Sequence, residues 1–245
     1  MNGHVLLTRP AGENERLAAM LVEAGISVDI HPLIELSARP QSHQYRQTAM
    51  DVDQQDAVIF ISKSAVRFAL PILESYWPQW PLAPAWFAVG RGTAETLADH
   101  GIRADFPAVP GSEGLLELPG LKDVAEKKVL IVRGVGGREM LRDKLIDRGA
   151  RVAYWEVYER RRTEDNDLPP LTDDMVVAIT SLEMLHALVD QAGDIVSHLR
   201  LVTVSDRIAD EASGFAEVSI AGGASDQALY DAIVEMLPSS RTETS

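Results

Sequence analysis

Residues 129–160, "VLIVRGVGGREMLRDKLIDRGARVAYWEVYER", read as a strand, a glycine turn, a helix and a second strand, and the same order runs through residues 5–36, "VLLTRPAGENERLAAMLVEAGISVDIHPLIEL". The two stretches align without a gap at an offset of 124. Identical pairs fall at Val5/Val129, Leu6/Leu130, Arg9/Arg133, Gly12/Gly136, Glu15/Glu139, Leu17/Leu141, Leu21/Leu145, Gly25/Gly149, Val28/Val152 and Glu35/Glu159. Any two strand–helix–strand units look somewhat alike, but ten identities in 32 ungapped positions favour a duplicated unit. Each copy starts with a short apolar run of the kind buried on both faces of a parallel sheet. A helical apolar spacing follows, at Leu17, Met20, Leu21 and Ala24 and at Leu141, Leu145 and Ile146.

The register continues more loosely beyond the copies. "DAVIFISKSAV" from Asp56 resembles "DMVVAITSLEM" from Asp174, and "AVGRGTAETL" resembles "TVSDRIADEA". Ser112 and Ser225 each read as the N-cap of a late helix. The pattern predicts an α/β fold of two similar lobes, with mainly parallel sheets flanked by helices. The long strands "SVDIHPLIEL" and "VAYWEVYERR" close the two copies, and the polar stretches "SARPQSHQ" and "RTEDNDLPP" after them read as linkers between lobes. The last residues, "PSSRTETS" at 238–245, read as a disordered tail.

The glycine turn after residue 132 is not a nucleotide loop. Glu139 stands where the dinucleotide fingerprint needs its third glycine, and the Gly-Lys-Ser/Thr ending of a P-loop is missing. Arginines on both sides, Arg133 and Arg138, and the amides around Gly136 and Gly137 suit some other anion.

Composition narrows the chemistry. The 245 residues carry a formal charge of −14, which argues against nucleic acid, because such binding relies on a basic surface. An anionic ligand would need cations concentrated locally. With no cysteine there is no disulfide framework, thiolate nucleophile or cysteine-type metal site. The absence of a long apolar run and of a signal-peptide core fits a cytoplasmic enzyme or binding protein with no membrane partner.

Ligands of open parallel sheets bind at the carboxyl ends of the strands. The residues following each strand are Thr8-Arg9, Ser62-Lys63-Ser64, Gly90 to Thr93 with Arg91 between, Arg133 to Arg138, Thr180-Ser181, and Ser205-Asp206-Arg207. Serine, threonine and glycine there suit helix capping alone. Five of the six loops nevertheless carry a cation, and together they point to an anion-binding site. No histidine pair has metal-ligand spacing and no G-x-S-x-G elbow is present. Tyr158 lies on a linker strand, where its phenol either donates a proton or packs.

The motifs "LLTRP", "FISKSAV", "VGRGTAETL", "LIVRGVGGRE", "VYERR", "ITSLEML" and "VSDRIAD", in this order, resemble the bacterial uroporphyrinogen-III synthase family over residues 5–237. The resemblance implies two lobes joined by two extended strands, with residues 1–37 and 166–237 forming one and 38–165 the other. It implies a substrate, hydroxymethylbilane, with an acetate and a propionate on each ring, which makes "RGVGGRE" look like a carboxylate cradle. The hydroxyl leaves as water, the azafulvene is attacked by the substituted carbon of ring D, and a spiro intermediate recloses with that ring inverted. No cofactor or metal is implied. By motif position Tyr158 matches the family's proton donor, and Thr93 a cleft threonine of the "VGxxT" turn. Where some members have threonines in the last loop, this chain has Arg207 and Ile208. A two-lobed protein that closes on a small anion without chemistry would use the same loops but not Tyr158. A nucleotide-sugar transferase is disfavoured by the missing acidic metal motif. The expected state is a monomer, with transient hand-over of substrate from hydroxymethylbilane synthase.

Overall fold

The computed structural model describes residues 3–164, 167–173 and 175–237. The tail expected at 238–245, and Asn166, where the returning part of one lobe was expected to start, lie outside the described residues. In chain order the elements are β1 (His4–Leu7), α1 (Glu15–Glu23), β2 (Ser27–Ile30), β3 (Ile34–Ala38), α2 (His43–Met50), β4 (Ala57–Phe60), α3 (Lys63–Tyr76), β5 (Ala85–Ala88), α4 (Arg91–Ala98), α5 (Ser112–Leu116) and α6 (Pro119–Lys122). There follow β6 (Lys128–Gly134), α7 (Met140–Asp147), β7 (Arg151–Arg162), β8 (Val176–Ile179), α8 (Leu182–Ala192), β9 (Arg200–Thr203), α9 (Asp206–Glu211), β10 (Glu217–Ile220) and α10 (Asp226–Met236).

Two compact units result. The first combines residues up to Leu36 with those from Arg161 onward, and the second spans Ser37–Arg160. The first holds a five-stranded sheet in the order β10-β9-β8-β1-β2, all parallel. The other sheet runs β3-β7-β6-β4-β5, parallel from β7 to β5. The bonds Arg39 N–H to Val157 O and Thr163 N–H to Leu33 O set β3 antiparallel to β7.

The duplication is visible in the backbone. Gly12 and Gly136 have φ of 84° and 75°, and Gly25 and Gly149 have 75° and 86°, a left-handed conformation that costs glycine little. Gly25 and Gly149 end their helices with the same pair of bonds, Gly25 N–H to Val22 O with Ile26 N–H to Leu21 O, and Gly149 N–H to Ile146 O with Ala150 N–H to Leu145 O. Matching β6 to β1, β7 to β2, β4 to β8 and β5 to β9 gives both sheets one spatial order, with the strand–helix–strand copy first in one unit and last in the other. The fifth position, β10 in the first sheet, is reduced in the second to a parallel bridge between Phe87 and Asp105.

Alternation along each strand sends side chains to two cores. In the first unit Val5, Leu7, Val176 and Ala178 pack with Leu17 and Leu21 of α1 and with Leu229 and Ile233 of α10. Leu6, Val177 and Ile179 pack with Leu185 and Leu188 of α8 on the opposite face. In the second, Val129 and Ile131 meet Leu141 and Leu145 of α7 and Leu115 of α5.

Three expectations change. "SVDIHPLIEL" is not one strand: β2 stops at Ile30 and β3 restarts at Ile34 in the other sheet. Pro32, which has no N–H for the ladder, occupies the position of Glu156 in the second copy, where β7 runs on unbroken. Ile146 is 44% exposed, so only Leu141 and Leu145 of that trio form the buried stripe. Ser112 is the first residue of α5 rather than its cap; Gly111 takes the cap position at φ 128°, and Ser225 caps α10 as expected, accepting from Ala228 N–H.

Candidate functional site

In the second unit the strand order reverses between β6 and β4, so the crevice at their carboxyl ends is where an α/β sheet presents its ligand site. Gly134 closes β6, Ser62 follows β4, and Tyr158 comes from the adjacent β7. The Tyr158 phenol oxygen lies 3.3 Å from Ser62 Oγ and accepts from Arg160 Nη2 at 3.4 Å. The ring is 2% exposed, stacked on Phe68 with centroids 5.3 Å apart. Its other neighbour is Gly134: a Cβ there would stand 2.6 Å from the ring carbons and 3.0 Å from the hydroxyl. A register shift between Arg133 and Gly134 pairs Gly134 with Tyr158 and sets the ring over the glycine.

Ser62 Oγ also accepts from Ala65 N–H at 2.9 Å and so caps α3. Its two acceptor sites are thus filled when Tyr158 donates, leaving its own hydrogen to point elsewhere. Ser62 is half-buried, so it is the more open end of the pair.

Lys63 is exposed and lies against the start of α4, where a Cβ on Gly92 would meet its Cε at 2.7 Å and Nζ at 3.2 Å. Glycine at 92 therefore makes room for this lysine. Ser64 is buried with Arg67 Nη2 at 3.5 Å. Arg91 is exposed, with its guanidinium carbon 5.5 Å from the Phe106 ring centre. Thr93 is buried in the first turn of α4, its N–H bonded to Gly90 O.

The "RGVGGRE" turn is held differently from a free cradle. Arg133 is 2% exposed, donates from Nε to Gly134 O at 3.1 Å and from Nη1 to Glu139 at 3.4 Å, and stacks over Tyr154 at 4.5 Å. Glu139 also receives Tyr154 OH at 2.8 Å and Arg142 at 3.3 Å. The bond from Tyr154 chiefly, then those from the two arginines, holds its carboxyl below the usual glutamate range. Burial first, then the bond to Glu139, pushes the Tyr154 phenol up to about 12. Gly136 and Gly137, at φ 75° and 97°, carry the turn, and Arg138 is exposed beside them.

The first unit has its reversal between β1 and β8. Thr8 is fully buried there and donates to Ala178 O at 2.7 Å. Arg9 is paired with Asp226 at 2.8 Å at the start of α10. Ser181 caps α8, accepting from Met184 N–H at 3.2 Å, and Thr180 Oγ1 lies 3.5 Å from Met184 Sδ. Ser205 sits at the cap of α9 without a side-chain bond to it, and Arg207 is exposed on that short helix.

Thus Tyr158 and Ser62 are brought together, Lys63 is fixed beside Gly92, and Arg9 and Arg133 are already matched with carboxylates of their own units. Reasoning from sequence missed Gly134, Phe68 and Arg160, and took Gly92 as a helix-start glycine rather than as room for Lys63. The adjacency of Gly134 to a paired arginine and the run of arginines after Tyr158 were the available signals. Among the described residues no helix is long and apolar enough to cross a membrane.

These features define a duplicated, doubly wound α/β protein whose hydroxyls, amides and cations collect at the carboxyl ends of parallel strands. A family model described as uroporphyrinogen-III synthase HemD matches residues 15–231. Uroporphyrinogen-III synthase of Escherichia coli strain K12 is 34% identical over 94% of this chain and 99% of its own, and that of Salmonella typhimurium strain LT2 is 33% identical with the same coverage. In fold, the chain is similar to the uroporphyrinogen-III synthetase structure from Helicobacter pylori 26695, at TM-score 0.66 and 19% identity, covering 97% of this chain and 100% of that one. The chain belongs to the uroporphyrinogen-III synthase family, enzymes of porphyrin biosynthesis.

Proposed function

We propose that this chain cyclises hydroxymethylbilane to uroporphyrinogen III as a hydro-lyase, inverting ring D. The observation that carries the reading is the Tyr158–Ser62 pair at the β6/β4 crevice, 3.3 Å apart. The bond from the hydroxymethyl carbon to oxygen breaks as the pyrrole nitrogen supplies its electron pair. The departing hydroxyl takes a proton and leaves as water. Ser62, the more open member, delivers that proton and takes one from the Tyr158 phenol behind it. Arg160 then faces the phenolate. The azafulvene is attacked by the substituted carbon of ring D, the spiro intermediate fragments and recloses, and the proton lost in the final rearomatisation restores the phenol.

Selecting the spiro route over direct closure is a matter of position. Exposed Lys63, Arg91, Arg138 and Arg207 bind substrate carboxylates. Thr93, Ser64, Thr180, Ser181, Ser205 and the amides of Gly136 and Gly137 shape the loops around them, while Arg9 and Arg133 hold those loops in place through Asp226 and Glu139. No cofactor or metal enters this scheme. The protein works as a cytoplasmic monomer, taking the unstable bilane by transient hand-over from hydroxymethylbilane synthase.

The test is a coupled assay in which the bilane is made in situ and the oxidised porphyrin isomers are separated. Predominant type III product supports the synthase. Type I alone from folded protein leaves an anion-binding protein on the same scaffold.

A further inference from the structure

Away from the β6/β4 crevice, β3 ends at Ala38 and the chain turns off β7 after the bond from Arg39 N–H to Val157 O. The edge of β7 from Tyr154 to Glu156 is left facing the start of α2, and a cavity of about 420 Å³ opens there. Arg39, Ser42, Tyr45, Trp155 and Glu156 are among its walls. It contains none of the residues assigned to the proposed synthase site. Its volume falls in the range of small-molecule sites, about 300–1,000 Å³.

Two walls carry polar atoms with nothing to bond. Tyr45 is 7% exposed and Trp155 is 2% exposed, yet among the described residues neither Tyr45 Oη nor Trp155 Nε1 has a hydrogen-bond partner. Their rings pack at 5.4 Å between centroids, so the two groups belong to one locus. Buried indole and phenol groups ordinarily find a partner. Burial pushes the Tyr45 phenol up to about 12, with Arg39 opposing, so it stays protonated and able to donate.

The charges around the cavity are of both signs. Arg39 is part-exposed and makes a long 3.7 Å contact with Glu159, which is not the short geometry of a committed pair. The eight-residue α2 directs its N-terminus to the same place, with Ser42 at its cap accepting from Tyr45 N–H. That end of a helix favours a carboxylate. Glu156 would repel a simple anion but matches a ligand that also carries a cation.

We propose that this cavity is a second small-molecule site, for a zwitterionic aminocarboxylate. The carboxylate lies toward Arg39, the α2 N-terminus and the donors of Tyr45 and Trp155, and the ammonium lies toward Glu156. The inference does not depend on the synthase reading, since a scaffold without catalysis would bind the same ligand.

The chain has four tryptophans, so the indole N–H resonances of ¹⁵N-labelled full-length protein give one reporter and three internal controls. Trp155→Phe assigns the reporter. Titration with β-alanine, propionate and propylamine at equal ionic strength separates the charges. The expected result is a saturable shift of the Trp155 resonance with β-alanine, with propionate and propylamine each at least about tenfold weaker, as loss of one charge-assisted contact requires. Arg39→Gln and Glu156→Gln should each weaken β-alanine by about the same factor while the other three resonances stay in place. No saturable shift would mean trapped water alone serves the two donors and would overturn the proposal. So would equal binding of propionate, or variants that leave β-alanine binding unchanged.

Discussion

Replacing Gly134 by alanine isolates the placement of Tyr158. Gly134 is not among the positive-φ residues, so its backbone accepts alanine and the effect is purely steric. The new methyl would stand 2.6 Å from Tyr158 Cε2 and Cζ, where ordinary contact begins at 3.4 Å, so the ring must retreat by about 0.8 Å. Phe68, stacked on the same ring with centroids 5.3 Å apart, and the bond to Ser62 limit how freely that ring can shift. Overpacking of this kind costs about 1–3 kcal/mol. A displacement of about 1 Å at a reacting group costs about 100-fold in rate. Gly134→Ala should therefore lose about 100-fold in type III turnover in the coupled isomer assay, with a modest drop in urea stability. Gly25→Ala is the control: its φ is 75° and nothing lies within 4 Å of the added methyl, so it strains a helix end without touching Tyr158. It should lose about 1–2 kcal/mol while the folded protein keeps its rate. Gly134→Ala with wild-type turnover, or with a loss no larger than that of Gly25→Ala at matched stability, would refute the placement argument.

Tyr158→Phe should lower turnover by about 10- to 1000-fold, and adding Ser62→Ala should cost little more if the two hydroxyls form one relay; independent, multiplying losses would break the relay. Neutralising Lys63, Arg91, Arg138 and Arg207 singly should raise KM for the bilane with little effect on unfolding, whereas unchanged KM in all four would remove these loops from substrate binding. Asp226→Ala, which strips Arg9 of its partner at 2.8 Å, should lower stability by about 1–3 kcal/mol in urea titration, and no change would show the pair to be idle. The Glu139 carboxyl is held below its ordinary range, so its contribution to the glycine turn is complete at neutral pH and is lost as pH falls through that depressed value. The raised Tyr154 phenol acts oppositely, its contribution being lost as pH rises from about 10 toward about 12, and tyrosinate absorbance should show late titration from Tyr154 and Tyr45 together, with one tyrosine's share of that late amplitude lost in Tyr154→Phe.

The duplication was legible because the features that set it are local. Gly25 and Gly149 must take left-handed φ to end a helix, and Leu17, Leu21, Leu141 and Leu145 must face a core, so selection on packing left identical letters. Pro32 was equally local, and its missing N–H marks the break between β2 and β3 that a long apolar run obscured. The arginines were visible as residue types, but their engagement was not. Arg9 meets Asp226 from 217 positions away, and Arg133 reaches back to Glu139 across the turn. Tyr158 stood out by strand position, whereas the Gly134 surface beneath it depends on a register shift that no spacing in one strand reveals.

The most direct test of the account is a single-turnover measurement with enzyme in excess over freshly generated hydroxymethylbilane, following bilane loss and the isomer formed, for the natural chain and for Tyr158→Phe. The natural chain should consume the bilane faster than spontaneous closure and yield type III, while Tyr158→Phe should slow its loss and let type I accumulate. Type I from the natural chain, or full-rate type III from Tyr158→Phe, would contradict it.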